Sequence, residues 1–225
     1  MPQIDVMQSG VFVTIEGIDG SGKSMLADEV AQLGVVAGRP VHLVRKSSQI
    51  GDGYVARHAE GLREILWREH SEQQRSSISD THWLWLAASW FALVEQVEIR
   101  PRLQEGFIVV SDSWFDKILA RFSLKPSPIA GHATAISAML RRPDFTVLLD
   151  VPPEMAADRK REFGYSECGN FDGFDGRCRE NFVRYQGLVR WEYLRLARAG
   201  GWTTLEGTVT AADFALHLER LLNWR

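Results

Sequence analysis

Eight consecutive residues carry the most specific chemical signal in this sequence. Gly17-Ile18-Asp19-Gly20-Ser21-Gly22-Lys23-Ser24 fits the phosphate-binding pattern G-x-x-x-x-G-K-[ST]. A polyphosphate needs several hydrogen-bond donors converging on closely spaced oxygens. Glycines let the backbone curl so that its N–H groups face inward. A helix that starts at the end of the loop adds partial positive charge. The closing lysine reaches the β- and γ-phosphates, and the closing hydroxyl reaches Mg²⁺. On this chemistry Gly17, Asp19, Gly20, Ser21, Gly22, Lys23, Ser24 and Met25 are the candidates for holding a triphosphate, with Lys23 on its β- and γ-phosphates and Ser24 as a metal ligand. Four fixed positions make a loose pattern that a glycine-rich turn can match by chance, so the flanking elements decide.

Those flanks are of the required kind. Residues 11–15 are β-branched and aromatic, apolar on both faces, and read as a strand buried in a parallel sheet. Residues 25–33 repeat apolar side chains at 26, 30 and 33, the spacing of a helix face. Gly34 and Gly38-Arg39-Pro40 end that helix, and residues 41–44 form a short second strand. A polar loop follows, and in open parallel sheets ligands sit at that end of the strands. Arg45 and Lys46 are therefore candidates for an anionic acceptor, with solvated loop charges as the alternative. Residues 107–112 predict a third strand closing on Asp112. Beside a phosphate loop such a carboxylate serves Mg²⁺; the alternative is an N-cap for a helix over 113–122. Residues 144–150 and 202–205 complete a set of five strands.

Between the strands lie helices at 54–69, 81–97, 131–141 and 177–199, with a polar loop over 70–79. The second of these helices is apolar nearly all round. Trp83, Trp85, Leu86, Trp90 and Phe91 on it either pack the core or line a pocket for a flat ring, core being the commoner fate. Residues 159–176 combine Arg159 and Arg161 with three spaced glycines, which reads as a mobile flap whose cations close over a transferring phosphoryl group. A basic helix end suited to its dipole is the other reading. Thr210 and Asp213 have capping-box spacing ahead of the last helix. Strands alternating with helices predict an α/β, three-layer phosphate-loop fold: a five-stranded parallel sheet flanked by helices, in one domain over 1–225.

Composition sets limits on partners. The net charge of −3 argues against a broad nucleic-acid surface but leaves room for a locally basic pocket. Cys168 and Cys178 are the only cysteines and do not form a C-x-x-C pair, as expected of free thiols in a reducing compartment. The first ten residues lack a basic start followed by an apolar run, and no stretch approaches a membrane span. The expectation is a soluble, cytoplasmic protein without a leader.

Taken together, the motifs resemble those of the thymidylate kinase family over nearly the whole chain. F-V-T-I-E-G-I-D-G-S-G-K-S at 12–24 is close to that family's first strand and loop. Residues 86–101, with A-A at 87–88 and V-E-Q-V at 94–97, look like its central helix. F-I-V-V-S-D at 107–112 resembles the strand before its D-R-[YH] motif, and P-D-F-T-V-L-L-D-V-P-P-E at 143–154 is similar to its P-D-L-T-x-x-L-D-V-x-P-E stretch. Gly20 and the arginines at 159 and 161 match the subtype with a glycine-type loop and arginines in the lid. The resemblance implies γ-phosphoryl transfer from ATP·Mg²⁺ to a nucleotide or nucleotide-like small-molecule acceptor. It also implies that Asp112 organises the metal, that Asp19 contacts the acceptor's sugar hydroxyl, and that the chain can form a homodimer, for which the apolar helix offers a face.

The acceptor half departs from the family. Its E-P-G-G-T is Lys46-Ser47-Ser48-Gln49-Ile50 here, and the arginine after the strand-three aspartate is Ser113. The base-reading arginine aligns with Trp90 and the stacking aromatic with Leu86, with Trp85 nearby. Each lost guanidinium removes a charge-assisted bond of about 1.5–3 kcal/mol. Arg45, Lys46, Lys117 and Arg121 are the cations available to compensate. Two alternatives stay open at this point: a kinase for an uncharged nucleoside or metabolite hydroxyl, and a nucleotide-binding protein without catalysis.

Overall fold

The computed structural model describes residues 9–48, 50–68, 74 and 77–223. Most of the expected polar loop at 70–79, together with Gln49, Glu69 and the first eight residues, lies outside the described residues. Strand β1 (Val11–Glu16) is buried along its whole length, as its apolar run on both faces requires. It is the hub of a sheet in the order β2-β3-β4-β1-β5-β6. Its parallel neighbours are β4 (Ile108–Asp112) and β5 (Phe145–Asp150), with β3 (Arg39–Val44) and β6 (Thr203–Glu206) parallel outside them.

All five expected strands are present, but the sheet is six-stranded and mixed. The extra strand, β2 (Val35–Val36), runs antiparallel to β3. Ala37 (φ 51°) and Gly38 (φ 73°) both have positive φ, as a two-residue type I′ hairpin turn demands. The glycines that end the preceding helix thus also build a hairpin, and a two-residue strand is too short for alternation to reveal.

Helices cover both faces. Helix α1 (Lys23–Gln32) and the last helix pack against Val11, Val13, Ile15 and the matching positions of β4 and β5. On the opposite face Phe12 and Val109 meet α2 (Gly53–Trp67) and α3 (Asp80–Val94). Ser79 caps α3 by accepting the His82 N–H at 3.3 Å. The expected helix over 81–97 continues through a π-helical turn, Glu95–Ile99, into α4 (Arg100–Gln104). Pro101 supplies no N–H to the ladder there, and the wider turn accommodates that gap.

After β4 come α5 (Asp116–Phe122) and α6 (Ile129–Met139). After β5, α7 (Pro153–Asp158) and α8 (Arg179–Gly200) bury Phe182, Tyr185 and Tyr193 against Leu148 and Val151. Helix α9 (Ala211–Asn223) closes the chain behind the expected capping box, with the Asp213 N–H donating to Thr210 Oγ1 at 3.2 Å. Among the described residues no helix is long and apolar enough to cross a membrane.

Candidate active site

The loop between β1 and α1 is a cradle fixed by backbone geometry. Gly20 has φ 80°, and a Cβ there would stand 2.7 Å from the Ala156 carbonyl oxygen on α7. Gly22 is the N-cap of α1 with φ 98°, so the first free N–H groups of the helix open directly onto the loop. Lys23 is buried; its Nζ donates to the Ile18 carbonyl at 3.0 Å and lies 4.0 Å from Asp19 Oδ1. Burial and the nearby Lys117 ammonium lower its pKa, against the pull of Asp19, Asp112 and Glu16. Met25 follows Ser24 and is 65% exposed.

The parallel register sets Asp112 beside Ile15, at the tip of β4 next to the loop. Ser24 Oγ donates to Asp112 Oδ2 at 2.5 Å, while Asp112 Oδ1 is buried with no hydrogen-bond partner. An orphaned carboxylate oxygen beside a serine hydroxyl suits a hard, oxygen-seeking cation. Among the described residues no group of three or more His, Cys, Asp or Glu side chains could hold a metal ion. One carboxylate and one hydroxyl fit Mg²⁺, which takes few protein ligands and completes its octahedron with phosphates and water.

The helix expected from 113 starts instead at Asp116, so Asp112 is not its N-cap. Ser113 intervenes with φ 70°, a left-handed conformation rare for serine. It is pinned on both sides: its N–H donates to Ile15 O at 3.1 Å, and its carbonyl accepts from Ser111 Oγ at 2.7 Å. The next N–H, of Trp114, donates to Glu16 Oε1 at 2.6 Å, and the Tyr193 hydroxyl donates to Glu16 Oε2 at 3.0 Å.

Glu16, legible in the sequence only as a strand end, thus holds the turn that carries Asp112. Burial, then the Asp116 charge, push its pKa up to about 8, against the hydrogen bonds from Trp114 and Tyr193. A carboxyl whose folded pKa exceeds its unfolded value contributes stability that is complete below the unfolded value and is lost as pH rises through the folded one. The protein is therefore expected to melt at a lower temperature as pH rises from 4.5 toward 8, and Glu16→Gln to flatten that slope. Melting curves across this range check it; an unchanged slope in the variant refutes it.

Asp19 is the centre of a second cluster. Its Oδ1 accepts from Lys117 at 2.8 Å, and its Oδ2 accepts from Arg121 and, at 3.3 Å, from Gln186 Nε2. Its N–H donates to Gln186 Oε1 at 3.1 Å, which ties the loop to α8. Burial opposes ionisation, but Lys117, Arg121 and Lys23 together hold the carboxyl well below its usual range. Gln186 is fully buried on a helix that periodicity marks only as amphipathic, so nothing local in the sequence pointed to it.

The remaining candidates divide. Arg159 lies against the loop, donating to Ser21 O at 2.9 Å and Gly207 O at 3.3 Å. Arg161 is exposed, and no hydrogen bond or ion pair is described for it. The segment 159–176 is anchored: Lys160 pairs with Glu167, Lys125 and the Tyr185 hydroxyl both meet Asp172, and Cys168 is buried. Arg45 pairs with Asp28 on α1, both side chains about half exposed. Trp85 is 55% exposed, Leu86 packs on the core, and Trp90 is buried.

Two cavities flank these groups. One, of about 260 Å³, is bounded by Ser24, Lys46, Trp90, Asp112, Ser113 and Trp114. The other, of about 530 Å³, lies between α2, α3, α5 and the 159–176 segment, with Trp67, Trp83, Arg121, Phe122, Lys125 and Tyr165 on its walls. Sequence reasoning missed Trp67, Phe122 and Lys125; the first two end helices and the third lies in the turn beyond α5, where a periodic pattern gives no reason to single them out.

The family model for thymidylate kinase matches residues 15–182. A thymidylate kinase of Thiobacillus denitrificans is 32% identical over 84% of this chain and 84% of its own length. One of Ralstonia nicotianae is 29% identical over 95% of this chain and 98% of its own. A probable thymidylate kinase of Pyrobaculum calidifontis is 28% identical over 91% of this chain and 92% of its own.

Proposed function

Because the chain belongs to the thymidylate kinase family and is thereby an ATP-dependent nucleotide kinase, we propose that it carries the γ-phosphoryl group of ATP to a nucleotide seated across the two cavities, thymidylate being the first acceptor to test. The observation that carries this reading is the orphaned Asp112 oxygen beside Ser24, at the mouth of a loop that already holds a buried lysine. Backbone N–H groups of the loop and the start of α1 grip the β- and γ-phosphates. Lys23 leaves its carbonyl partner for the bridging oxygens and neutralises charge as it shifts toward the leaving group. Ser24 and Asp112 are the residues that would hold Mg²⁺, whose chemistry when bound is to neutralise the phosphate oxygens. Arg159, poised on the loop, is the lid cation best placed to reach the transferring group, and Arg161 reaches it only if the segment moves. Trp67, Trp83 and Phe122 offer flat apolar walls to a base.

Catalysis in this scheme is alignment and charge neutralisation, with little covalent chemistry for the protein to do. Acceptor-dependent ADP release, measured with ATP, MgCl₂ and a panel of nucleoside monophosphates, tests the proposal. Turnover of at least one monophosphate is expected. ATP binding without acceptor-dependent ADP release from any of them overturns it.

A further inference from the structure

A third cavity, of about 560 Å³, has no residue of the phosphate loop and neither Ser24 nor Asp112 on its boundary. Its walls come from α5, from the stretch that leads into β5, and from the end of α8 where the chain turns into β6. Pockets that enclose small molecules run to about 300–1,000 Å³, so there is room for one.

The lining offers two kinds of unused polar group. Asp116 opens α5 and is partly buried, and no hydrogen bond or ion pair is described for its carboxylate. Burial pushes its pKa up to about 6, against the pull of Arg142, which leaves it ionised at neutral pH. Arg141 and Arg142 are exposed at the border of the cavity, again with no hydrogen bond or ion pair described for their side chains. The same boundary carries the rings of Phe145 and Trp202, both partly buried. A carboxylate accepts paired N–H groups, guanidinium forks grip phosphate, and flat apolar walls suit a ring. The carboxylate alone would suit any amine and the arginines any anion. With the rings, they describe a nucleotide whose base offers two adjacent donors, as guanine does with its N1–H and its amino group.

The cavity is joined to the turn that carries Asp112. Trp114, on its wall, donates its ring N–H to Arg141 O at 2.9 Å and its backbone N–H to Glu16 Oε1 at 2.6 Å. It directly follows Ser113, the left-handed residue beside Asp112. A ligand that draws the two arginines inward pulls, through one indole, on the metal-holding turn.

We infer that this cavity is an effector site for a guanine nucleotide, with the phosphates on Arg141 and Arg142 and the base on Asp116, separate from the donor and acceptor sites. It lies outside the kinase machinery, so binding here and the kinase reading can fail independently.

Equilibrium dialysis of the full chain with radiolabelled GDP tests the inference. An excess of a non-hydrolysable ATP analogue with MgCl₂ keeps the phosphate loop occupied. One GDP bound per chain is expected. Arg141→Ala combined with Arg142→Ala removes only exposed side chains and should weaken GDP about 10- to 100-fold, the loss of a charge-assisted bond or more. Asp116→Asn should weaken GDP and leave the weaker binding of inorganic pyrophosphate unchanged. In steady-state turnover GDP should lower kcat at saturating ATP and acceptor, and should not do so in the double-arginine variant. The inference is overturned by any of four results: no GDP binding with the loop occupied; equal binding in the double-arginine variant; pyrophosphate held as tightly as GDP; or an effect on turnover that is absent or that saturating substrates abolish.

Discussion

Lys23→Met is expected to lower kcat by about 10² to 10³, the loss typical of removing one preorganised donor from a developing charge. The side chain is buried, donating to Ile18 O and lying 4.0 Å from Asp19 Oδ1, and the nearby Lys117 and Arg121 are both engaged by Asp19. Methionine preserves the stem and fills the same space, so the fold should survive. Steady-state ADP release and a melting curve measured together separate the two effects. A variant with a native melting curve and a kcat within threefold of wild type would exclude Lys23 from the transfer. The same substitution probes the electrostatics of the cluster: with one cation gone, Lys117 loses a repulsive neighbour.

The second large effect is on stability. Asp19→Asn keeps the shape of the side chain but leaves Lys117 and Arg121, both largely buried, facing an amide. Breaking a buried ion network from one side costs about 3–5 kcal/mol, because the stranded charges cannot regain water. For a chain of this size that is a melting temperature lower by about 6–20 °C. The pH dependence has a definite sign. A carboxyl held below its unfolded pKa contributes stability that is present above the unfolded value and is lost as pH falls through the folded one. Wild type should therefore lose this contribution only below the ordinary aspartate value of 3.8, and the variant should lack that acid-side loss. A melting temperature within about 2 °C of wild type at neutral pH would show that the cluster contributes little. The Asp19–Gln186 contact would then be what ties the loop to α8.

The donor half of the site was legible because its determinants are contiguous. Glycine spacing, a lysine, a hydroxyl and the strand before them all lie within residues 11–24, and the local backbone leaves them little choice of arrangement. Asp112 was legible for a related reason, since a strand that ends on a carboxylate in a parallel sheet must end beside the loop. The acceptor half was not. Gln186 comes from α8, Trp67 from α2 and Lys125 from the turn after α5, and only packing brings Gln186 to Asp19 and the other two to one cavity. Glu16 acquires its role from the Trp114 N–H in the turn after β4 and from a tyrosine 177 residues away. The tryptophan stripe on α3 could not be divided in advance either. Its apolar character runs nearly all round, so the burial of Trp83 and Trp90 against the exposure of Trp85 depends on where α2 lies.

The small hairpin at 35–40 has a consequence for how copies of this chain behave at high concentration. Without it, β3 would present an unpaired row of backbone groups along one border of the sheet, open to annealing with a strand from another molecule. The two-residue β2 covers the start of that border, at Arg39 and Pro40, and Pro40 opposite Val35 removes one donor from it. What looks like an ornament on the first helix is thus a selvedge: it finishes the fabric so that it does not ravel into its neighbours.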